Sequence, residues 1–419
     1  MSLVAPSSLP RHDWNNSLQS LSLSRTKIQI HLEHDFISNL KSLETLDLSA
    51  CNFEGSNLEL FDKLTQLIEL RLSHNNFSGQ IPSSVENLKK LLELDLSHNN
   101  FNGQIPSSFE NLQQLHVLYL QNNNLSGQIP TYFTNFTQLS LFSLSNNLFT
   151  GPMFQVDRLL SLYYLDLSNN LLNATIPASL VTLPRLYTIV LNSNQLTCNF
   201  GPFKDNQLGE VPSTTCKLKS LHILGLSSNC LNGIIPQCLG NFSNAFSMLH
   251  LGMNNFQGTI PEPFSVGCSL RYLNFNGSQL RKRVPLSISN CKIWEILDLG
   301  NNRIDGTCPH FLETLPELQV LVLQSNELHG MVKGSSTNYS FSKLQNFDLS
   351  NNMLSGPLPA EYFNNFKAMM NVDVKMKYMG SPNYNYDYSA SLTLKGLKIE
   401  LVKIQTLPTT IDLSRNKLR

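Results

Sequence analysis

The densest set of potential metal ligands in this 419-residue chain is His31-Leu32-Glu33-His34-Asp35. Its histidines do not keep the spacing of the helical HExxH zinc motif, so the cluster reads as a solvated connection. Aspartates recur at Asp47, Asp95, Asp166, Asp298 and Asp348, each inside a Leu-Asp-Leu or Phe-Asp-Leu phrase. A residue that returns in one phrase is a scaffold position, expected on an exposed strand face, rather than a catalytic acid. No phosphate-binding glycine loop, nucleophile elbow or kinase signature is written anywhere. The chain therefore reads as non-enzymatic, with no cofactor and no metal. Among eight cysteines, Cys216 with Cys238 and Cys268 with Cys291 lie on either side of one repeat, where stacking would bring each pair near disulfide range. Cys198 is an alternative partner for Cys216, and buried free thiols are the alternative throughout.

What positions these residues is a repeat. From Leu67 to Pro130 the chain reads LIELRLSHNNFSGQIP, LLELDLSHNNFNGQIP and LHVLYLQNNNLSGQIP, with ladder asparagines Asn75, Asn99 and Asn123 spaced 24 apart. This LxxLxLxxN unit is a leucine-rich repeat. Its short strand turns Leu67, Leu70 and Leu72 inward and leaves Arg71, Ser73 and His74 outside. One coil cannot bury its apolar side alone, so the coils must stack into a single long core. A buried asparagine amide offers two donors and an acceptor, enough to tie its own turn to the backbone of the next coil. The expected fold is an α/β-type repeat: a leucine-rich-repeat solenoid, a curved right-handed superhelix with a concave parallel β-sheet.

Residues 1–17 are atypical, and 18–359 carry the repeats, with Thr26 and Cys51 in the ladder position of two weaker coils. The ladder runs on through Asn147, Asn170 and Asn194, then breaks: 35 residues separate Asn194 from Asn229, so about 197–210 should loop out as an insertion. It resumes through Asn254, Ser278, Asn302, Asn326 and Asn352. Residues 360–408 form a non-repeat island, helix-like at EYFNNFKAMM and hairpin-like at LTLKGLKIEL around Gly396; residues 409–419 begin a truncated repeat.

Charged residues make up 14% of the chain, below the usual value of about 25%, and 30 basic residues balance 30 acidic ones. No nucleic-acid or anionic-membrane partner is implied. The start lacks the apolar stretch of a secretory signal and no run is long enough to cross a membrane, which taken literally places the chain in the cytosol. Asn-x-Ser/Thr triplets at Asn15, Asn76, Asn124, Asn135, Asn173, Asn241, Asn276 and Asn338 point instead to glycosylation in the secretory pathway, and to a sequence that is a fragment of a longer product.

Function must lie in positions the scaffold leaves free. Seven residues before each ladder residue stand His116, Tyr163, Tyr187, His222 and Arg271, and neighbouring exposed positions add Tyr119, Tyr164, His250 and Tyr272. Aromatic rings and arginine on an open sheet are anchors for a protein, peptide or glycan ligand, because they bury area and keep a polar tip. The competing reading is that tyrosine favours strands and stacks on its neighbours across coils.

The LxxLxLxxNxLxGxIP repeats, the island and its closing phrase YDYSASLTLKGLKIELVKI followed by IDLS resemble the extracellular part of plant leucine-rich-repeat receptor-like proteins of the fungal disease-resistance type. That resemblance implies a ligand-binding ectodomain on the outer side of the plasma membrane, signalling in defence or development through a partner receptor kinase. The alternatives are an extracellular inhibitor of a pathogen's cell-wall-degrading enzyme, which would lack the island, and the ectodomain of a leucine-rich-repeat receptor kinase.

Overall fold

A computed structural model describes residues 18–26, 40–55, 58–197, 220–241, 246–332, 341–358, 363, 365–370, 390–394, 397–401 and 409–419. The His31–Asp35 cluster, Asn15, Asn338, Cys198, Cys216, the N-terminal segment 1–17 and most of the insertion and island lie outside the described residues. The chain divides into two units, Met1–Leu196 and Thr197–Arg419. Both are leucine-rich-repeat solenoids.

In the first unit the LxL phrases form β1 (Ser20–Ser22), β2 (Thr45–Asp47), β3 (Glu69–Arg71), β4 (Glu93–Asp95), β5 (Val117–Tyr119), β6 (Leu141–Ser143), β7 (Tyr164–Asp166) and β8 (Thr188–Val190). Each pairs in parallel with the next. The second unit repeats the plan with β9 (Ile223–Gly225), β10 (Met248–His250), β11 (Tyr272–Asn274), β12 (Ile296–Asp298), β13 (Val320–Val322) and β14 (Asn346–Asp348). An antiparallel hairpin, β15 (Ala390–Leu394) with β16 (Leu397–Leu401), intervenes before β17 (Thr410–Asp412), which joins β14 in parallel. Opposite the strands, short 3-10 turns such as Ser83–Asn87 and Ser107–Asn111 follow the prolines.

The core is the leucine ladder. Leu67, Leu91, Leu115, Leu139 and Leu162 are all fully buried, and stacked phenylalanines Phe77 and Phe101 continue it. Ladder asparagines tie each coil to the preceding one rather than the next. Asn99 Nδ2 donates to Leu96 O and Ser97 O of its own turn and to Leu72 O one coil back, while its Oδ1 accepts from Phe77 N. Cys51 fills the same slot with one donor, its Sγ bonding Leu23 O at 2.9 Å. The GQIP phrase has a packing cause as well. A Cβ on Gly127, where φ is +84°, would sit 2.8 Å from Gln104 Cγ of the coil before, so the glutamine lies across a surface only glycine leaves open.

Cys268 and Cys291, with Cα atoms 5.1 Å apart, form a disulfide between adjacent coils. Cys238 is also disulfide-bonded, and Cys51, Cys230 and Cys308 are free thiols.

Candidate ligand-binding face

The outward side of the LxL strands differs between the units. In β2 to β5 and in β7 the middle residue is buried and the two flanking ones are half-buried, so side chains alternate between core and solvent. In β6 only the first residue is half-buried, and in β8, the last strand of the first unit, as in β9 to β14, all three residues are buried. The candidate residues therefore fall into two groups.

In the first unit His116 is exposed and Tyr163 is 44% exposed. The rings of Tyr163 and Tyr187 stack across adjacent coils with centroids 4.8 Å apart and planes 20° from parallel. Their facing surfaces cover each other, so a ligand would meet the ring edges. His116 Nδ1 lies 2.8 Å from Gln114 O; assigned as the donor there, it leaves Nε2 as the acceptor of the neutral ring. Tyr119 stands opposite Asp95 in register. Burial, with the Asp95 and Glu93 carboxylates, pushes its phenol up. Tyr164 donates to Asp166 Oδ2 at 3.4 Å and is pushed up by burial and by Asp166. Both phenols therefore stay protonated donors. Burial also pushes Asp166 up, against hydrogen bonds from Ser168, Ser145 and Tyr164 that favour its charged form.

Beside this aromatic group lies a charged cluster that the aromatic pattern of the sequence does not mark. Arg71 Nε and Nη2 meet Glu93 Oε1 at 2.5 Å and Oε2 at 2.8 Å in a two-pronged pair, and Nη2 lies 3.1 Å from Glu69 Oε2. The signal for it was present: charges at the two outward positions of successive LxL phrases.

In the second unit His222 is half-buried with Nδ1 2.9 Å from Ser220 O, and Arg271 is exposed, pairing with Glu295 at 2.6 Å. Tyr272 and His250 correct the expectation of exposure. Tyr272 is fully buried, accepts from Asn274 Nδ2 at 3.2 Å, and meets the His250 ring edge-on at 5.5 Å. Burial pushes His250 down to about 3. Both belong to strands withdrawn from solvent on both sides, so neither meets a ligand in this arrangement. Asp298 and Asp348 are likewise buried rather than exposed. Asp348 accepts from the Ser350 N–H and hydroxyl two residues on, as Asp95 does from Ser97 and Asp166 from Ser168, which explains the recurrent Asp-Leu-Ser phrase as a local turn lock.

Asn276 is a second correction. It is 2% exposed; its Nδ2 donates to Asp298 Oδ1 at 2.7 Å and its Oδ1 accepts from Asn301. A glycan cannot be carried on an amide enclosed this way. Asn76, Asn124, Asn173 and Asn241 are exposed, and Asn135 is half-buried with its Oδ1 accepting from Arg158.

Residues 17–154 match the model of a leucine-rich repeat region, and 161–183, 220–242 and 295–354 match leucine-rich-repeat models. Receptor-like protein 32 of Arabidopsis thaliana is 37% identical over 277 residues, covering 61% of this chain and 31% of that protein. The chain belongs to the leucine-rich-repeat proteins, and the relatives it matches are plant receptor-like proteins. This chain spans about a third of the length of the curated relatives it matches. Its fold is also that of solved receptor-kinase ectodomains. The ectodomain of the Arabidopsis receptor kinase HAESA, in complex with an N-terminally extended IDA peptide hormone, superposes with a TM-score of 0.68 at 27% identity, over 84% of this chain and 65% of that one. HAESA with IDA and the co-receptor SERK1 gives 0.52 at 26% identity, over 79% and 66%.

Proposed function

We propose that this chain is the ligand-recognising part of a plant cell-surface receptor acting in defence signalling. A protein or peptide ligand docks on the half-open strand face of the first unit, at His116, Tyr119, Tyr163, Tyr164 and Tyr187. The observation that carries this reading is the Tyr163–Tyr187 stack, an aromatic pair left partly in solvent on the strand face. In the second unit, exposed Arg271 and half-buried His222 offer a smaller polar contact. Peptide recognition by the similar HAESA ectodomain, and its complex with a co-receptor, support a peptide ligand and a partner receptor kinase here. The same resemblance supports placement outside the plasma membrane, with glycans on Asn76, Asn124, Asn173 and Asn241.

A selection of displayed peptides on the immobilised chain tests the reading. Selected peptides should lose roughly tenfold or more in affinity on the Tyr163→Ala/Tyr187→Ala double variant, the scale of central aromatic anchors. Equal affinity for both proteins would remove the stack from the proposed site.

A further inference from the structure

A second surface lies on the lateral side of the second unit, away from the LxL strands. Arg281, Lys282, Arg283 and Arg303 are all exposed there, and Arg281 pairs in parallel with Arg303 of the next coil. Among the described residues no carboxylate forms an ion pair with any of the four, whereas Arg71, Arg271 and Lys343 each hold one. Asp305, two residues after Arg303, stands in parallel register with Glu327 of the next coil. Like charges directly opposite each other on a sheet are destabilising, so stability alone does not account for this strip.

Lys282 sharpens the point. It occupies the slot that the GxIP phrase gives to glycine, with φ at +65°, while Gly258, Gly306, Gly330 and Gly356 in the same slot lie between +80° and +97°. Only Ala174 and Lys282 depart from glycine at this slot among the described residues. A side chain in the left-handed region is strained. Room for it comes from the coil before, where Thr259 replaces the glutamine of GQIP; over Gly330, Thr307 leaves 3.6 Å to a built Cβ, against 2.8 Å for Gln104 over Gly127. Two sequence changes thus combine to admit a cation at a strained position. The Arg283 stem lies across Gly306, whose built Cβ would come within 2.7 Å of Arg283 Cγ, so its aliphatic part packs on backbone that only glycine leaves open.

We propose that this strip binds a carboxylate-rich extended peptide segment of a partner protein. Arg303 stands about 4.8 Å across from Arg281 in the next coil, so the strip offers neighbouring guanidiniums to a run of carboxylates. Guanidinium forks match carboxylates two bonds at a time. Gln257, Thr259, Asp305 and Thr307 beside the strip supply no aromatic ring on which a sugar would stack, which favours peptide over acidic glycan. This surface is independent of the strand face of the first unit.

The probe is a labelled dodecapeptide of alternating Glu and Ser, titrated against the full chain by fluorescence anisotropy at low and at high salt. Saturable binding is expected at low salt and should fade at high salt. Arg281→Gln/Arg303→Gln should weaken it about tenfold. Lys282→Gly should weaken it severalfold while raising the thermal unfolding midpoint, opposite signs that a purely structural lysine would not give. Tyr163→Ala/Tyr187→Ala should leave it unchanged. Binding unaffected by Arg281→Gln/Arg303→Gln, equal binding of a Lys-Ser peptide, or binding of polyuronate or anionic phospholipid vesicles where the Glu-Ser peptide fails would each overturn the proposal.

Discussion

Tyr163 and Tyr187, 24 residues apart in the chain, stack with ring centroids 4.8 Å apart, each held by the strand of its own coil. The stack links two successive turns on their outer face. A double-mutant cycle with alanine at both positions, read by urea unfolding, should give a coupling of about 0.5–1.5 kcal/mol, the usual range for aromatic pairs. Strictly additive losses would mean that the rings do not hold each other.

Ladder asparagines should carry more stability than exposed ones. Asn123→Ala strands Phe101 N and the carbonyls of Leu96 and Leu120, all buried. At about 1–3 kcal/mol for each buried polar group left without a partner, the loss should reach roughly 3 kcal/mol. Asn100→Ala, at an exposed position, should stay within about 0.5 kcal/mol of the parent. Similar midpoints for the two variants would contradict the ladder's role.

Glycine at position 252 is required by its neighbour. A Cβ there would lie 2.6 Å from Asn274 Oδ1, which already accepts from Asn276 N, inside a buried network that runs on to Asp298. Gly252→Ala should therefore destabilise by about 1–3 kcal/mol through overpacking. Asn274→Ala in the same chain should recover part of that loss. Additive losses in the double variant would show that the collision is not the cause.

His250 makes the stability of the second unit depend on pH. Its folded value, about 3, lies below the ordinary 6.5, so the unfolded chain binds more protons between these limits. The stabilisation is complete above about pH 6.5 and is lost as pH falls toward 3. From pH 6.5 to 5 the loss should approach about 2 kcal/mol, and His250→Gln should flatten it. Parallel pH profiles for the variant and the parent would rule His250 out as the sensor.

The solenoid was legible because its requirements repeat: leucine, asparagine, glycine and proline each return to a site of one geometry, and local and stacked demands agree. The difference between the two strand faces was not legible. The LxL phrase gives β7 and β11 the same alternation, yet Tyr164 is half-buried and Tyr272 fully buried, because exposure on the outer side depends on what stands over the sheet. Asn276 differs from Asn124 in its place in the coil: it stands two residues before the ladder position, where Ser97, Ser145 and Ser168 are also buried, and Asp298 and Asn301 of the next coil enclose its amide. The charged strip at Arg281 was not legible for another reason. Its meaning comes from register, which sets Arg281 beside Arg303 across coils rather than along the chain.

Hydroxyl-radical footprinting of the chain, alone and with a selected peptide bound, tests the central claim most directly. Without peptide, Tyr163 should oxidise readily while Tyr272 and Met248 stay protected; with peptide, protection should appear at Tyr163 and Tyr187. Protection arising instead at His222 of the second unit, or a Tyr163 signal indifferent to the peptide, would contradict recognition on the strand face of the first unit.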